Sequence, residues 1–437
     1  MDTNGHERGG KRRWKTVVAV WGALTVLVGA VAAPVKVELR EWVPGRFELL
    51  RAGEPYVVRG AGGEDLKSLA AAGANSVRTW GAEGIDALLD EAEGLGLTVT
   101  VGIWVEHERH GFDYDDAAAV RAQIERQCRA VDRIKDHPAL LLWGVGNEVE
   151  LRAPSAKAWD TVEAIAAYIQ RVDPHHPVMT VTAHPSAATL AEVKRRCPSI
   201  DLLGCNSYGP VAGLAEELRE GGWDGAYLVT EWGCDGFWEV EKTSWGAEIE
   251  PTSTEKAVQR ALRYAAIMSD RDRCLGNYAF VWGQKQEKTP TWFGVFTEDG
   301  RATESVDVLQ FLWTGNFPEQ RAPQVAPLRL DGAPASASVR VAPGAALTAT
   351  TAIVRGGGAE QRVAWELLHE RTERSEGGDA EERSPAAPLR EARESADESE
   401  ATLAFVAPER RGAYRLFAYV QGAGQTVATT NFPFLVE

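Results

Sequence analysis

The chain has 437 residues, 44% of them hydrophobic, so it is long enough for more than one domain with a real core. Its formal net charge is -16 and its pI about 5.1, which argues against broad binding to nucleic acid or an anionic membrane, since both need a positive field. The 15 tryptophans are many for this length, and their flat faces suit the apolar faces of sugar rings as well as a core.

Residues 1–33 stand apart. Arg8, Lys11, Arg12, Arg13 and Lys15 precede an uncharged run at 16–33. This order reads as a signal peptide, with Ala30 and Ala32 as small residues before a cleavage point, or as an uncleaved anchor that tethers the chain to a membrane. Either reading exports the remainder, to the periplasm or the cell exterior. A short connector follows at 34–46.

From residue 47 short apolar runs alternate with helical patterns. The runs fall at 56–60, 75–81, 97–105, 139–148, 178–183, 200–209, 226–233 and 275–283. They are rich in β-branched and aromatic residues, and several are apolar nearly throughout, as expected of strands covered by helices. Between them lie amphipathic stretches, including a long one at 115–137. The stretch at 252–270 has Thr252 or Ser253 placed to cap it and Glu255 to assist. Eight such units predict a (β/α)8 barrel over 47–317, with the segment 40–54 as a strand or hairpin closing its bottom. A doubly wound sheet is the alternative, but no glycine-rich nucleotide turn follows the first strand.

The character then changes. Residues 318–334 are proline-rich and read as a linker. Residues 335–437 carry alternating runs separated by turns and predict a small all-β sandwich, with 371–400 as a long, charged, exposed loop. The five cysteines are sparse and form no CxxC, so neither a disulfide framework nor a structural zinc site is expected, and most read as small core residues. No metal and no cofactor are expected.

A barrel places its working residues at the C-terminal ends of its strands. Strand two offers Arg78 and Trp80. Strand three offers Trp104, Glu106 and His107. Strand four ends in Asn147-Glu148, strand five at His184, and strand six in Asn206-Ser207-Tyr208. Strand seven ends in Glu231-Trp232, and strand eight in Trp282 with Gln284 beyond. Glu148 and Glu231 each close an apolar run, and a carboxylate is costly to bury without a reason. Strands four and seven can face each other across the mouth. A pair of carboxylates about 5 Å apart there suits double-displacement glycoside cleavage. The segment EHERH at 106–110 lacks the HExxH spacing of a metal site, and Glu106 and His107 read as substrate-lining. So does His184. The loop after strand seven, with Trp238 and Trp245, and the wall carrying Trp292 are expected to offer stacking surfaces beside Trp232.

These segments resemble retaining glycoside hydrolases that use a (β/α)8 barrel with catalytic glutamates after strands four and seven. HPALLLWGVGNE at 137–148, GANSVRTWG at 73–81, VTEWG at 229–233 and FELLRAGEPYVVRGAGG at 47–63 are similar to the catalytic barrel of the family 2 β-glycosidases, with barrel glucanosyltransferases a close second. The resemblance implies that Glu148 is the acid/base and Glu231 the nucleophile. It implies that Asn147 binds the sugar 2-hydroxyl, Arg78 and Tyr208 support Glu231, and Trp282 forms the floor under the sugar. Only about 13 residues, 34–46, separate the apolar run from the barrel. The β domains that precede the barrel in the family 2 plan are therefore not expected, and an open cleft is. The expected function is retaining hydrolysis of a β-linked glucan or oligosaccharide. The alternatives are transglycosylation by the same pair, or a non-catalytic carbohydrate-binding envelope protein.

Overall fold

The computed structural model describes residue 1 and residues 33–356, 362–371 and 383–437. The expectations of a leader or anchor at 1–33 thus lie outside the described residues, Met1 and Ala33 apart. Among the described residues no helix is long and apolar enough to cross a membrane.

Three short strands open the fold. β1 (Val37–Val43) and β2 (Arg46–Arg51) form a hairpin, and β3 (Glu54–Pro55) pairs with β2. Val37 and Leu49 pack with Leu141, Leu202, Leu228 and Leu275, residues near the starts of later strands. The hairpin therefore closes the bottom of the barrel.

The barrel is closed and parallel. Its strands are β4 (Val58–Gly63), β5 (Ser76–Arg78), β6 (Thr98–Ile103), β7 (Leu140–Asn147), β8 (Val178–Thr182), β9 (Leu202–Asn206), β10 (Tyr227–Trp232) and β11 (Cys274–Trp282). Eight helices follow the strands in turn: α1 (Leu66–Ala71), α2 (Asp86–Gly94), α3 (Ala117–Ile134), α4 (Ala158–Val172), α5 (Ala187–Arg196), α6 (Leu214–Glu220), α7 (Ser253–Ile267) and α8 (Glu304–Thr314). Their ends follow local chemistry. Asp116 caps α3 by accepting from the Ala118 and Ala119 amides, and Ser186 caps α5. Thr252 and Glu255 form a reciprocal capping box on α7.

Alternation along the strands divides two cores. Val77, Val99, Val101, Ile103, Val145 and Val178 join the helices outside. Inside, the Tyr278 hydroxyl bonds Ser76 Oγ at 2.8 Å and Thr100 Oγ1 at 2.5 Å. Near the mouth the alternation breaks. Register shifts occur between Gly144 and Asn147, between Val229 and Glu231, and between Ala279 and Trp282. Such irregularities re-aim the side chains that follow.

Beyond the barrel lie two packed sheets. One holds β12 (Gln324–Val325), β13 (Arg329–Leu330), β15 (Ala346–Arg355), β18 (Arg390–Ala396) and β19 (Glu400–Val406). The other holds β14 (Arg340–Val341), β16 (Arg362–His369), β17 (Ala386–Ala387), β20 (Gly412–Gln421) and β21 (Val427–Val436). Leu347, Leu403, Phe405, Leu416, Phe432 and Phe434 fill the space between them. Two segments differ from expectation. The stretch 324–330, expected within a linker, supplies two short strands that pair with β15. Residues 390–396, expected within a charged loop, pair with β19 as an edge strand. Every residue of that strand is exposed, so it shows none of the apolar alternation that marks a buried strand, and its charges suit an unpaired edge.

The sandwich docks on α7 and the loops after β10 and β11 through buried charges. Lys256 bonds Glu250 at 2.5 Å. Glu250 also accepts from Asn431, Thr289 and Thr291. Arg415 bonds Glu370 at 2.8 Å and the Glu248 carbonyl at 2.7 Å. Four of the five cysteines, Cys197, Cys205, Cys234 and Cys274, are buried.

Candidate active site

The mouth of the barrel gathers a polar cluster on the ends of four strands, β5, β7, β9 and β10. Glu231 sits at its centre and is only 7% exposed. Strict alternation from Val229, which faces the helices, would send Glu231 outward. The register shift before it turns it inward and leaves Trp232 outside. Its Oε1 accepts from Arg78 Nη1 at 2.8 Å and from Trp80 Nε1 at 2.8 Å. Its Oε2 accepts from the Tyr208 hydroxyl at 3.0 Å. Two of these donors are neutral and one is cationic, and together they fix the orientation of the carboxyl group. Burial first, and the charge of Glu231 second, push Tyr208 well above the usual phenol range, which keeps it a donor.

Arg78 is itself 2% exposed and joins the two halves of the cluster. Its Nη1 also donates to the Thr230 carbonyl at 2.9 Å, and its Nη2 donates to Asn147 Oδ1 at 2.6 Å. Asn147 Oδ1 further accepts from Asn206 Nδ2 at 3.2 Å. With two donors on that oxygen, the amide orientation follows from the network. Asn147 Nδ2 is left as the group that can meet a ligand.

Glu148 follows on the same strand end. Its backbone lies in the left-handed region, φ 50°. Its Oε1 accepts from Asn206 Nδ2 at 2.8 Å, and Thr230 Oγ1 fixes Asn206 by donating to Oδ1 at 2.8 Å. Burial, then repulsion from Glu231, push its carboxyl up to about 8. Two residues on, Glu150 is pushed up to about 7, chiefly by burial, while its Oε1 accepts from the Ala183 amide at 2.8 Å. The cluster thus holds one carboxylate ringed by donors and one carboxyl that keeps its proton near neutrality, the division an acid and a nucleophile require.

Aromatic rings back Glu231. Trp80 and Tyr208 both meet Phe280 edge-on, at 5.8 and 6.1 Å, and Phe293 lies 5.3 Å from Tyr208. Trp238, 53% exposed, stands edge-on to Tyr208 at 5.6 Å and forms the rim.

The other expected site residues are placed elsewhere. Trp282 is buried against Trp313 and Phe296 and donates to Ser68, away from Glu231. The register shift between Ala279 and Trp282 puts it on the helix side, and Phe280 is the strand-eight ring beside the cluster. Trp232 packs against Tyr264 of α7 and donates to Asn277. Trp292 is fully buried, with Nε1 on the Asp235 carbonyl, so it supports the aromatic wall from behind. Trp245 lies under Arg340 of the sandwich. Glu106 turns to Arg126 of α3 at 2.9 Å. His107 is buried with Nε2 on the Asn147 carbonyl at 2.6 Å. His184 bonds Ser207 at 2.7 Å and Glu217 of α6.

Sequence reasoning placed Trp80 and Asn206 at strand ends without giving them roles. Their spacing was the available signal, since Trp80 is two residues from Arg78 and Asn206 two from Tyr208. Phe280, Glu150 and Arg109 carried no such signal.

Part of the barrel is similar to the barrel of family 2 glycosyl hydrolases. Residues 63–220 match the family described as "Glycosyl hydrolases family 2, TIM barrel domain". That range includes Arg78, Asn147, Glu148 and Tyr208 and ends before Glu231. The chain is also similar to an FMN-binding β-glucuronidase from Facaelibacterium prausnitzii L2-6, at 15% identity over 91% of this chain and 58% of that one, with a TM-score of 0.49. A β-glucuronidase from Ruminococcus gnavus, in complex with C6-substituted uronic isofagomine, matches at 15% identity over 64% of this chain and 52% of that one, TM-score 0.49. A glycosyl hydrolase family 2 member from Bacteroides cellulosilyticus matches at 13% identity over 92% of this chain and 65% of that one, TM-score 0.46. The chain therefore spans between about half and two thirds of the length of these proteins.

Proposed function

We propose that the protein is a retaining β-glycosidase acting on a β-linked glucan or oligosaccharide. One observation carries the reading. Glu231 is a buried carboxylate oriented by Arg78, Trp80 and Tyr208, while Glu148 beside it is a carboxyl whose range is pushed up to about 8. In the first step a Glu231 oxygen attacks the anomeric carbon and the glycosidic C–O bond breaks. The leaving oxygen takes the proton of Glu148. In the second step water attacks the same carbon, gives its proton to Glu148, and frees Glu231. Asn147 Nδ2 is the donor available to the sugar 2-hydroxyl. Phe280 and Trp238 offer ring faces to the sugar.

Product analysis on a panel of β-linked oligosaccharides tests this. The native chain should release shorter products of retained configuration, and Glu231→Ala should lower turnover by about 10⁴-fold or more. Unchanged turnover in Glu231→Ala would remove the nucleophile from the scheme. Products longer than the substrate would move the assignment to transglycosylation by the same pair.

A further inference from the structure

The backbone of Glu148 is held in a conformation that L residues seldom adopt, and both peptide groups flanking its Cα are pinned. The peptide before it is fixed by its amide, which donates to the Val181 carbonyl at 2.8 Å, and by the Asn147 carbonyl, which accepts from His107 Nε2 at 2.6 Å. A carbonyl can only accept, so Nε2 is the protonated nitrogen. The peptide after it is fixed by the Glu148 carbonyl, which accepts from Arg109 Nη1 at 2.6 Å and from the Leu151 amide at 3.1 Å. Between these two residues, Glu108 accepts from Ser155 Oγ at 2.7 Å and from the Ser155 amide at 3.1 Å. Three consecutive side chains of the loop after β6 thus bind three points at the end of β7 and on the chain that follows it. His107 is fully buried, with its ring edge-on to Trp104 at 4.7 Å.

We propose that His107 and Arg109 are positioning residues for the acid/base, a clamp that holds Glu148 in its left-handed conformation and so aims its carboxyl at Asn206 and the leaving oxygen. The EHERH segment is then a brace on the acid/base strand end and not a surface for substrate. The inference rests on the reading of Glu148 as acid/base given above. Because kcat/KM reports only as far as formation of the glycosyl-enzyme, a residue that sets the position of the acid affects it through proton delivery to the leaving group, and a displacement of about 1 Å there is worth about 100-fold in rate.

Two β-glycosides of one sugar, one aryl and one alkyl, separate this from a general structural role. A dinitrophenyl glycoside has a leaving group that departs without protonation, and an alkyl glycoside has one that needs the proton. Arg109→Met and His107→Leu should lose roughly 10- to 100-fold in kcat/KM on the alkyl glycoside and less than about threefold on the dinitrophenyl glycoside. His107→Gln keeps a side-chain N–H donor and should recover most of the loss. Arg109 is partly exposed, so its variant carries the test alone if His107→Leu does not fold. Equal losses on both glycosides, or no loss on either, would overturn the clamp while leaving the proposed function in place. A native chain that cleaves neither glycoside of any sugar tried would overturn the function, and the clamp with it.

Discussion

At the scale of single residues the site works by placing two carboxyl groups in unlike surroundings. Glu231 accepts from three side chains, whereas Glu148 has the amide of Asn206 and the repulsion of its partner. The second arrangement has a cost that depends on pH. Glu148 titrates near its ordinary value of 4.5 in the unfolded chain and near 8 in the folded one. Between those values the unfolded chain binds fewer protons than the folded one at this position. Stability therefore falls as pH rises through this window, and the penalty is complete above about 8. Glu148→Gln removes the titration and keeps the shape. Thermal melts should show the variant more stable than the native chain at pH 8, by on the order of 1 kcal/mol or more, with the difference shrinking toward pH 4. A variant equally stable or less stable at pH 8 would contradict the strained acid. Glu150, pushed up to about 7 by burial, adds to the same trend in both proteins.

At the scale of elements, the mouth depends on strands that leave their regular pleat. The eight strands and the Thr252 cap of α7 were legible because apolar runs, helical periodicity and capping residues are local properties. Glu148, Glu231, Arg78 and Tyr208 were legible for a related reason, since a charged or polar group closing an apolar strand is conspicuous. The side a residue faces past a register shift was not. Regular pleating from Tyr278, which faces the barrel interior, would carry both Phe280 and Trp282 inward, and the shift turns Trp282 outward and leaves Phe280 as the ring beside the cluster. Trp292 and Trp245 were misplaced because composition distinguishes an aromatic residue from a polar one, but not a ring that lines a cleft from one that supports its wall. Close approach of elements is equally hidden in the sequence until the fold is known. A Cβ on Gly102 of β6 would lie 2.4–2.6 Å from backbone atoms of Thr79 and Trp80. Gly102→Ala must push away the segment that delivers Trp80 Nε1 to Glu231. It should lower stability by about 1–3 kcal/mol and reduce kcat more than it raises KM, as read from melts and steady-state kinetics. A variant with normal melting and normal kcat would show that this contact does not set the site.

At the scale of the whole molecule, the β-sandwich is continuous with the loops around the barrel mouth. Lys256, Glu250, Glu248, Lys288, Glu370 and Arg415 form one buried network across α7, the loops after β10 and β11, and both β16–β17 and β20 surroundings. Buried charges of this kind stabilise little in net terms but penalise any other arrangement, because a partner left alone keeps its full desolvation cost. Thr289 and Thr291 are held in that network, and the next residues, Trp292 and Phe293, form the wall behind Tyr208. The sandwich thus fixes the loops that shape the mouth. The proposed function turns on one bond, between Glu231 and the sugar. Mass spectrometry after incubation with dinitrophenyl 2-deoxy-2-fluoro-β-glycosides tests it most directly, because the fluorine slows breakdown of a covalent glycosyl-enzyme. The account predicts one added fluorosugar, located on the Glu231 side chain and absent from Glu231→Ala. A label on any other carboxylate, Glu148 or Glu150 included, would contradict it.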